Sequence, residues 1–367
     1  MKNLFLFFVV FLFVPNFAIS ASKTTLDQRK LERWLIEKPK YLLTYLSQLS
    51  KDNLSQKDQE IALTYQAETL YFQDKLIELN NLIKTCDTNF INKKLNVRVV
   101  TVKSHSLYLL DKNSEAMNCI NKVDNLMISG QPQGWEDLWA LSVKVLILSK
   151  TIKKDESKAL LAKLPRYIDS LKDNFRKANI LEPLSMTYPY FNETDKGIKH
   201  QQKVIDIYLK LNLIEQLSVA YFNKGFLLEI NKQYEKALQA GKKSLNYAQQ
   251  SNNTVNQLFS VGFIAKIYLK TEQYQKGFDI IEKTLIKDRN IPPHLMISLL
   301  YERVKLLKKV GDTNQLISTS LKIIDLSDKH QLSTAAITQT RIMLAAIYAE
   351  KKSYKKAYNL LLTTMDI

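Results

Sequence analysis

A spacing of small and apolar residues repeats along the chain and predicts paired helices. In its clearest copy, Gly225 is followed by Leu228, Tyr234 and Ala237, and the same spacing recurs from Ala265. Residues three apart share one face of a helix, so the small residue and the Leu or Tyr after it lie on the same face of a first helix. The Tyr-x-x-Ala step then begins a second helix, in which the small Ala lets the two backbones approach. Further copies begin at Ser185, Val304 and Ala345, and a weaker one at Ser104.

A pair of helices buries only part of its apolar surface, and stacking on neighbouring pairs buries the rest. We therefore expect an all-α fold, a right-handed α-solenoid of stacked antiparallel helix pairs with a period of about 40 residues. Residues 21–367 would hold roughly eight or nine such hairpins, with the best repeats at 218–367. The 367 residues include only 8 Gly and 8 Pro, too few for the frequent turns of a sandwich, a barrel or a doubly wound sheet.

The copies at 225–237, 265–277 and 345–357 resemble the tetratricopeptide repeat in their order of small residue, Tyr or Leu, turn and Tyr-x-x-Ala. The turn Gly of that family is replaced here by Lys232, Glu272 and Lys352. The family period is about 34 residues, so helices or links are longer here by about six. A HEAT-like or armadillo-like array, with a period of about 40 to 47, is the alternative. The fixed phase of Tyr-x-x-Ala favours the tetratricopeptide interpretation.

The first residues of the chain have the pattern of a secretory signal peptide. Lys2 precedes an apolar run at 4–14, and small residues follow at Ala18 and Ser20. The run is shorter than the roughly 17 to 25 residues of a membrane-spanning helix. We predict cleavage after Ser20 and a periplasmic or secreted protein of the bacterial envelope; an uncleaved anchor at residues 4–20 is the alternative.

The chain has two cysteines, Cys86 and Cys119. An oxidising compartment would allow them to form a disulfide. Their separation is close to one repeat, however, and equivalent positions on stacked helices lie farther apart than the Cα distance of about 4.4 to 6.8 Å that a disulfide needs. The sequence therefore favours two buried thiols.

No catalytic motif is present in the sequence. The Gly-rich phosphate loops and the G-x-S-x-G nucleophile motif are absent, and the four histidines have no metal-binding partner at a suitable spacing. We predict a protein that is not an enzyme and that uses no cofactor or metal. The histidines are His105, His200, His294 and His330.

The tetratricopeptide resemblance implies a groove lined by the first helix of each hairpin. Positions counted from the small residue of each copy predict an aromatic patch that leads into a lysine cluster, suited to an acidic peptide or protein segment with an apolar anchor. A general abundance of Lys in the chain is the alternative explanation. The predicted binding residues are Phe222, Phe226, Glu229, Lys266, Lys270, Tyr301, Lys305, Lys308 and Lys309.

The family's clamp for a C-terminal carboxylate uses Lys and Asn at one position of its first hairpins. The residues at that position here are different in kind, so the resemblance does not imply a chaperone-tail clamp. They are Glu182, Phe222, Gly262, Tyr301 and Ile342.

The formal net charge of +17 indicates anionic partners. Clustered Lys and Arg can neutralise nucleic-acid phosphates, but an exported protein rarely meets nucleic acid. We therefore predict acidic peptides or anionic envelope polymers as partners, and no nucleic acid.

The segments at 31–46, 54–63 and 67–71 resemble the opening of the periplasmic sensor regions of bacterial diguanylate cyclases and histidine kinases. Two function hypotheses follow. The first is an exported, non-enzymatic protein-interaction scaffold. The second is the sensor region of a membrane signalling protein whose membrane span and output domain are missing from this chain. The last predicted helix has no polar capping helix after it, which predicts an apolar end that packs on a partner or on a second copy.

Overall fold

The computed structural model describes residues 24–86, 88, 90–126, 132–287 and 291–365. The predicted signal peptide at residues 1–20 lies outside these ranges. The chain divides into two compact units, residues 1–99 and 100–367, and each is described by itself. No helix among the described residues is both long and apolar enough to span a bilayer.

Every long regular element of the described ranges is a helix, as the all-α prediction requires. The first unit holds the earlier helices, and α5 crosses the boundary between the units. These helices are α1 Gln28–Glu37, α2 Pro39–Ser47, α3 Gln56–Phe72, α4 Leu76–Leu82 and α5 Lys93–Leu109. The second unit continues with α6 Asn113–Ile120, α7 Val123–Leu126, α8 Trp135–Ser149, α9 Lys154–Ile168, α10 Phe175–Thr187, α11 Thr194–Lys210, α12 Ile214–Ile230, α13 Tyr234–Gln250, α14 Thr254–Lys270, α15 Tyr274–Lys287, α16 Pro293–Val310, α17 Thr313–His330, α18 Ala335–Glu350 and α19 Tyr354–Met365.

One sequence spacing determines where the second helix of each pair begins. In the copies found in the sequence, it begins nine residues after the buried small or apolar residue, as α13 does after Gly225. The structure adds two pairs with the same step that the sequence pattern missed. They are α3 with α4, counted from Ala67, and α8 with α9, counted from Val145. Their second helices begin with Leu76 and Lys154, so the Tyr that marks the clearest copies is absent.

The turns between paired helices hold side chains in a left-handed backbone conformation. Lys232, Glu272 and Lys352 have φ values of 56°, 59° and 58°. The next residue closes each turn; the backbone N–H of Ser353, for example, donates to the Tyr348 carbonyl at 2.8 Å. Such a bond satisfies a carbonyl at the end of a helix and commonly accompanies a glycine. Lys232, Glu272 and Lys352 therefore occupy turn positions at which glycine is the usual residue.

Replacement of Lys352 by Gly is expected to raise the free energy of unfolding by about 0.5 to 1 kcal/mol. An L-residue in the left-handed region costs about 1 to 2 kcal/mol, and the extra freedom of Gly in the unfolded chain offsets part of that gain. Urea denaturation followed by circular dichroism measures the change.

The matched control is Lys351→Gly in the same turn. Lys351 has a φ of −79°, which any residue adopts, so this change is expected to lower stability. If both substitutions change the free energy of unfolding equally, the backbone at Lys352 is not strained.

Close packing of α12, α13 and α14 depends on two glycines and one aromatic ring. A Cβ atom on Gly225 would lie 2.8 Å from the Phe263 ring, and one on Gly241 would lie 2.9 Å from it. Phe263 is buried. Its ring therefore fills a notch that only glycine leaves open on both helices of the preceding hairpin.

A buried ion pair joins α3 to the first turns of α5 within the first unit. The Arg98 guanidinium donates to both oxygens of Glu68, from Nε at 2.6 Å and from Nη2 at 2.7 Å. The side chains of Arg98 and Glu68 are only 5 % and 0 % exposed. The guanidinium lies 4.7 Å from the ring centroid of Tyr65, whose hydroxyl donates to Glu32 at 3.0 Å. Burial is the main cause that raises the pKa of Tyr65 to about 12.

The prediction of two buried thiols is wrong. Neither cysteine is free, because Cys86 and Cys119 are both disulfide-bonded. The prediction assumed that both residues occupy equivalent positions on stacked helices. Only Cys119 lies in a helix, α6, whereas Cys86 lies in the irregular segment between α4 and α5.

Candidate functional site

The predicted binding residues lie on three helices that pack side by side, α12, α14 and α16. At the α12 end, the Phe222 ring contacts Phe263 and Phe259, with centroid distances of 5.4 and 6.3 Å. Phe259 is 45 % exposed and Val219 is 40 % exposed. Sequence reasoning missed these last two residues. Each lies three residues before a predicted groove position, Phe222 or Gly262, so helical periodicity could have found them.

An ion-pair cluster connects α12 to α14. Lys266 Nζ lies 2.8 Å from one carboxylate oxygen of Glu229, and Lys270 Nζ lies 3.7 Å from the other. The Glu229 side chain is only 7 % exposed. Lys266 Nζ also lies 5.8 Å from the ring centroid of Phe226. The buried carboxylate thus holds the two lysines beside the aromatic patch.

A second carboxylate, which sequence reasoning did not single out, binds the third lysine of the predicted cluster. Lys305 Nζ donates to Glu302 at 2.6 Å and lies 4.8 Å from the Tyr301 ring centroid. Burial raises the pKa of Glu302, while the charges of Lys305 and Lys266 act in the opposite direction. The spacing of three between Glu302 and Lys305 on one helix could have indicated this pair.

The predicted basic groove is therefore largely neutralised in its middle. Lys266, Lys270 and Lys305 lie next to carboxylates, whereas Lys308 and Lys309 are exposed and make no ion pair with any described residue. These two lysines lie in the last turn of α16, where a positive charge interacts favourably with the helix dipole. Three lysines and two carboxylates leave one positive charge in the middle of this face, and Lys308 and Lys309 add two more at its α16 end.

A carboxyl group with a raised pKa, that of Glu182, lies on the neighbouring helix α10. The Asn223 side-chain amide donates to Glu182 Oε1 at 3.0 Å and so joins α12 to α10. Burial raises the pKa of Glu182 to about 7, although the hydrogen bond from Asn223 opposes the shift. Burial therefore favours the protonated form of Glu182 more than it does for an exposed glutamate.

The titratable groups elsewhere form no cluster that could hold a metal ion within the described ranges. Burial lowers the pKa of His105 to about 4, so this histidine is neutral at pH 7. Burial is also the main cause that lowers the pKa of His200 to about 4, and the charge of Lys203 adds to it.

The sequence matches no protein-family model and no curated protein. Similar solved structures include a Rap protein complexed with Competence and Sporulation Factor, at 12% identity and a TM-score of 0.52, with 93% of this chain and 98% of that chain covered. The apo form of the quorum sensor NprR from B. thuringiensis has 11% identity and a TM-score of 0.56, with coverage of 92% and 97%. A signal-transduction ATPase with a tetratricopeptide sensor, from Pyrococcus horikoshii, has 13% identity and a TM-score of 0.57, with coverage of 93% of this chain and 53% of that chain.

The protein has the tetratricopeptide-repeat fold. In this chain, the extra length per repeat lies in the helices. The helices α11, α12, α13 and α14 have 17 residues each, and the links between them are only three residues long. Two such helices and two such links account for the period of about 40. The longer helices lengthen the face that α12, α14 and α16 share.

Proposed function

We propose that the protein is an exported, non-enzymatic scaffold that binds a peptide or protein segment on the face of α12, α14 and α16. The observation that carries the proposal is the group of apolar side chains exposed there, Val219 and Phe259, beside the partly buried ring of Phe222. Apolar surface in water costs about 25 cal/mol per Å² relative to burial. A ligand with an apolar anchor would remove this surface from water.

The similar structures support a binding role. The Rap structure contains Competence and Sporulation Factor, and NprR is a quorum sensor. Helix-lined grooves accept peptides through apolar anchors, with affinity that depends on how well these anchors pack. We therefore propose that the ligand is a segment of polypeptide.

The charge distribution supports a direction for the ligand. The apolar anchor would contact Phe222 and Phe259, and an acidic end would approach Lys308 and Lys309. Glu229 and Glu302 compensate two of the three positive charges of the central lysines. Charges at a rim mainly change the association rate, so the anchor should provide most of the affinity.

A peptide selected from a display library on the folded chain provides the test. Phe259→Ala is expected to weaken binding of that peptide by about tenfold or more, measured by fluorescence anisotropy, because it removes a large exposed contact. Phe259 is suitable because it is exposed, unlike the buried Phe263. Lys308→Glu with Lys309→Glu should slow association, most strongly at low salt.

The matched control is Ile286→Ala on α15, which removes an apolar side chain that is 77 % exposed but lies on another helix. Binding of the peptide should be unchanged in this variant. If Phe259→Ala and Ile286→Ala have the same effect on affinity, the binding face lies elsewhere.

Export is part of the proposal and has its own support. Both cysteines are disulfide-bonded, which fits an oxidising compartment. We expect the protein recovered from the cell envelope to begin at Ala21 and to lack thiols that react with an alkylating reagent. Mass spectrometry measures both. Recovery from the cytoplasm with residues 1–20 intact and two reactive thiols would contradict export.

A sensor region of a membrane signalling protein is the second candidate, favoured because two of the similar structures are sensors. The gene sequence beyond codon 367 separates the candidates. A membrane span followed by a Gly-Gly-Asp-Glu-Phe segment would support the sensor, and an unrelated gene would support the scaffold.

The helix α19 supports self-association or contact with a partner. It exposes four large apolar or aromatic side chains, of which Tyr354 and Tyr358 are each about two-thirds exposed, at 66 % and 65 %. The other two are Leu361 and Leu362. Light scattering during size-exclusion chromatography should show that the wild type is a dimer. The double variant Leu361→Ser with Leu362→Ser should be a monomer. A monomer in both proteins would exclude self-association here.

A further inference from the structure

Three lysines converge on a pocket between α11, α12 and α13, away from the aromatic face. Lys224 enters from α12, and Lys236 and Lys243 enter from α13. Tyr221 and Leu228 line the same pocket. The cavity is about 300 Å³, near the lower limit of small-molecule sites.

None of these lysines makes an ion pair with a carboxylate of the described residues. In contrast, Lys266 and Lys270 on α14 both lie next to Glu229. Lys224 Nζ donates to the side-chain oxygen of Gln202, and Lys236 Nζ donates to that of Gln233 at 3.0 Å. Within the described part of the chain, none of the three makes an ion pair. Asp206 on α11 is the carboxylate that acts on Lys224, and its Oδ1 accepts a hydrogen bond from Gln202 at 2.7 Å.

The lysines are close enough to affect one another. Burial lowers the pKa of Lys224, the charges of Lys243 and Lys236 lower it further, and Asp206 opposes them. Crowded like charges are unfavourable. Among the described residues, Asp206 offsets part of this repulsion without an ion pair to any of the three lysines, and a bound anion would relieve the rest.

One contact holds Lys243 beside the pocket, and one further feature suits a negatively charged ligand. The Tyr221 ring stacks on Tyr247 at 5.5 Å, and Lys243 Nζ lies 5.2 Å from the Tyr221 centroid, so a cation–π contact positions this ammonium group. The helix α13 begins at this pocket, and its N-cap residue, Gln233, makes no side-chain cap. The positive end of the helix dipole therefore adds to the charge of the lysines.

We propose that this pocket binds a small anion with two or more negative charges on phosphate oxygens, of the phosphate-ester or pyrophosphate class. Lysine ammonium groups bind phosphate oxygens as point charges with rotatable donors, without the fixed planar geometry of an arginine fork. Several converging lysines therefore favour a compact ligand of high negative charge. The pocket has no arginine in its lining. This site goes beyond the proposed peptide binding and uses other residues.

Isothermal titration of the folded chain with pyrophosphate tests the site. We expect saturable binding that weakens as salt is added. Lys224→Gln with Lys243→Gln should weaken it by about tenfold or more. Lys322→Gln with Lys329→Gln is the charge-matched control, because both lysines are exposed on α17. It should bind pyrophosphate like the wild type.

Absence of saturable binding to the wild type, or equal weakening in both double variants, would overturn the proposal. Thermal unfolding without ligand checks that the variants fold. If the double variant does not fold, Lys243→Gln alone decides the matter, because this side chain is exposed.

Vesicles identify the source of the phosphate. Phosphatidic acid has a phosphomonoester head group that can carry two negative charges. Binding to phosphatidic acid vesicles that is lost in the pocket variant would support the site and assign the phosphate to a lipid head group. Pyrophosphate binding without vesicle binding would support the site and assign a soluble phosphate.

Discussion

Replacement of Glu68 by Gln is expected to lower the free energy of unfolding by about 3 to 5 kcal/mol. The substitution removes the charge that compensates Arg98, which stays buried and ionised. In the wild type, burial lowers the pKa of Arg98, but the Glu68 carboxylate raises it above its ordinary value. An arginine keeps its proton even without such a partner, so the variant would hold a buried charge that lacks its main compensating group. Urea denaturation followed by circular dichroism measures the loss.

Glu32→Gln is the matched control for this prediction. Glu32 is 33 % exposed and its carboxylate lies 3.9 Å from Arg98, so its charge should contribute only about 0 to 1 kcal/mol. Replacement of both buried partners, by Arg98→Met with Glu68→Leu, should cost far less than Glu68→Gln alone, because no buried charge remains. Equal losses for Glu68→Gln and Glu32→Gln would contradict the buried-charge explanation.

Replacement of Phe263 by Ala is expected to lower the free energy of unfolding by about 3 to 5 kcal/mol. The ring fills the notch over Gly225 and Gly241, and its removal leaves a cavity between two consecutive hairpins. Thermal and urea unfolding should both detect the loss.

A double-mutant cycle tests whether this notch explains the loss. Gly225→Ala alone should destabilise the protein by about 1 to 3 kcal/mol through overpacking, although Ala is a better helix former than Gly. In the Phe263→Leu background, the added methyl group has more room, so its cost should fall. Strictly additive effects would show that Gly225 and Phe263 do not share this space.

The helical pairs could be predicted where a small residue and a Tyr keep their fixed spacing, as at Ala265 and Tyr274, and also at Ser185 and Val304, which continue the same register. The sequence pattern did not predict the α8–α9 pair, because helix packing needs only a buried residue at each contact and not a particular residue type. Val145 and Ser157 meet this need, and the Ser157 hydroxyl donates to the Val145 carbonyl at 2.8 Å. A pattern that requires particular residue types misses a contact that other types can make.

The binding face was harder to predict, because its charge depends on neighbours from different helices. Position along each helix placed Lys266 and Lys305 on this face, but not the carboxylate of Glu302 that compensates one of them. The lysine pocket could not be predicted for the same reason, because its lysines come from different helices. Lys224 and Lys243 lie 19 residues apart in the sequence, and only the folded α12–α13 pair brings them to one cavity.

The constant nine-residue step within each hairpin contrasts with the links between hairpins, whose lengths differ: the link at 211–213 has three residues and the link at 169–174 has six. For protein engineering, this contrast separates permissive positions from forbidden ones. An epitope tag or a fluorescent label placed at 169–174 would only lengthen a link whose length already varies. The same insertion between Gly225 and Tyr234 would shift the second helix out of contact with the first.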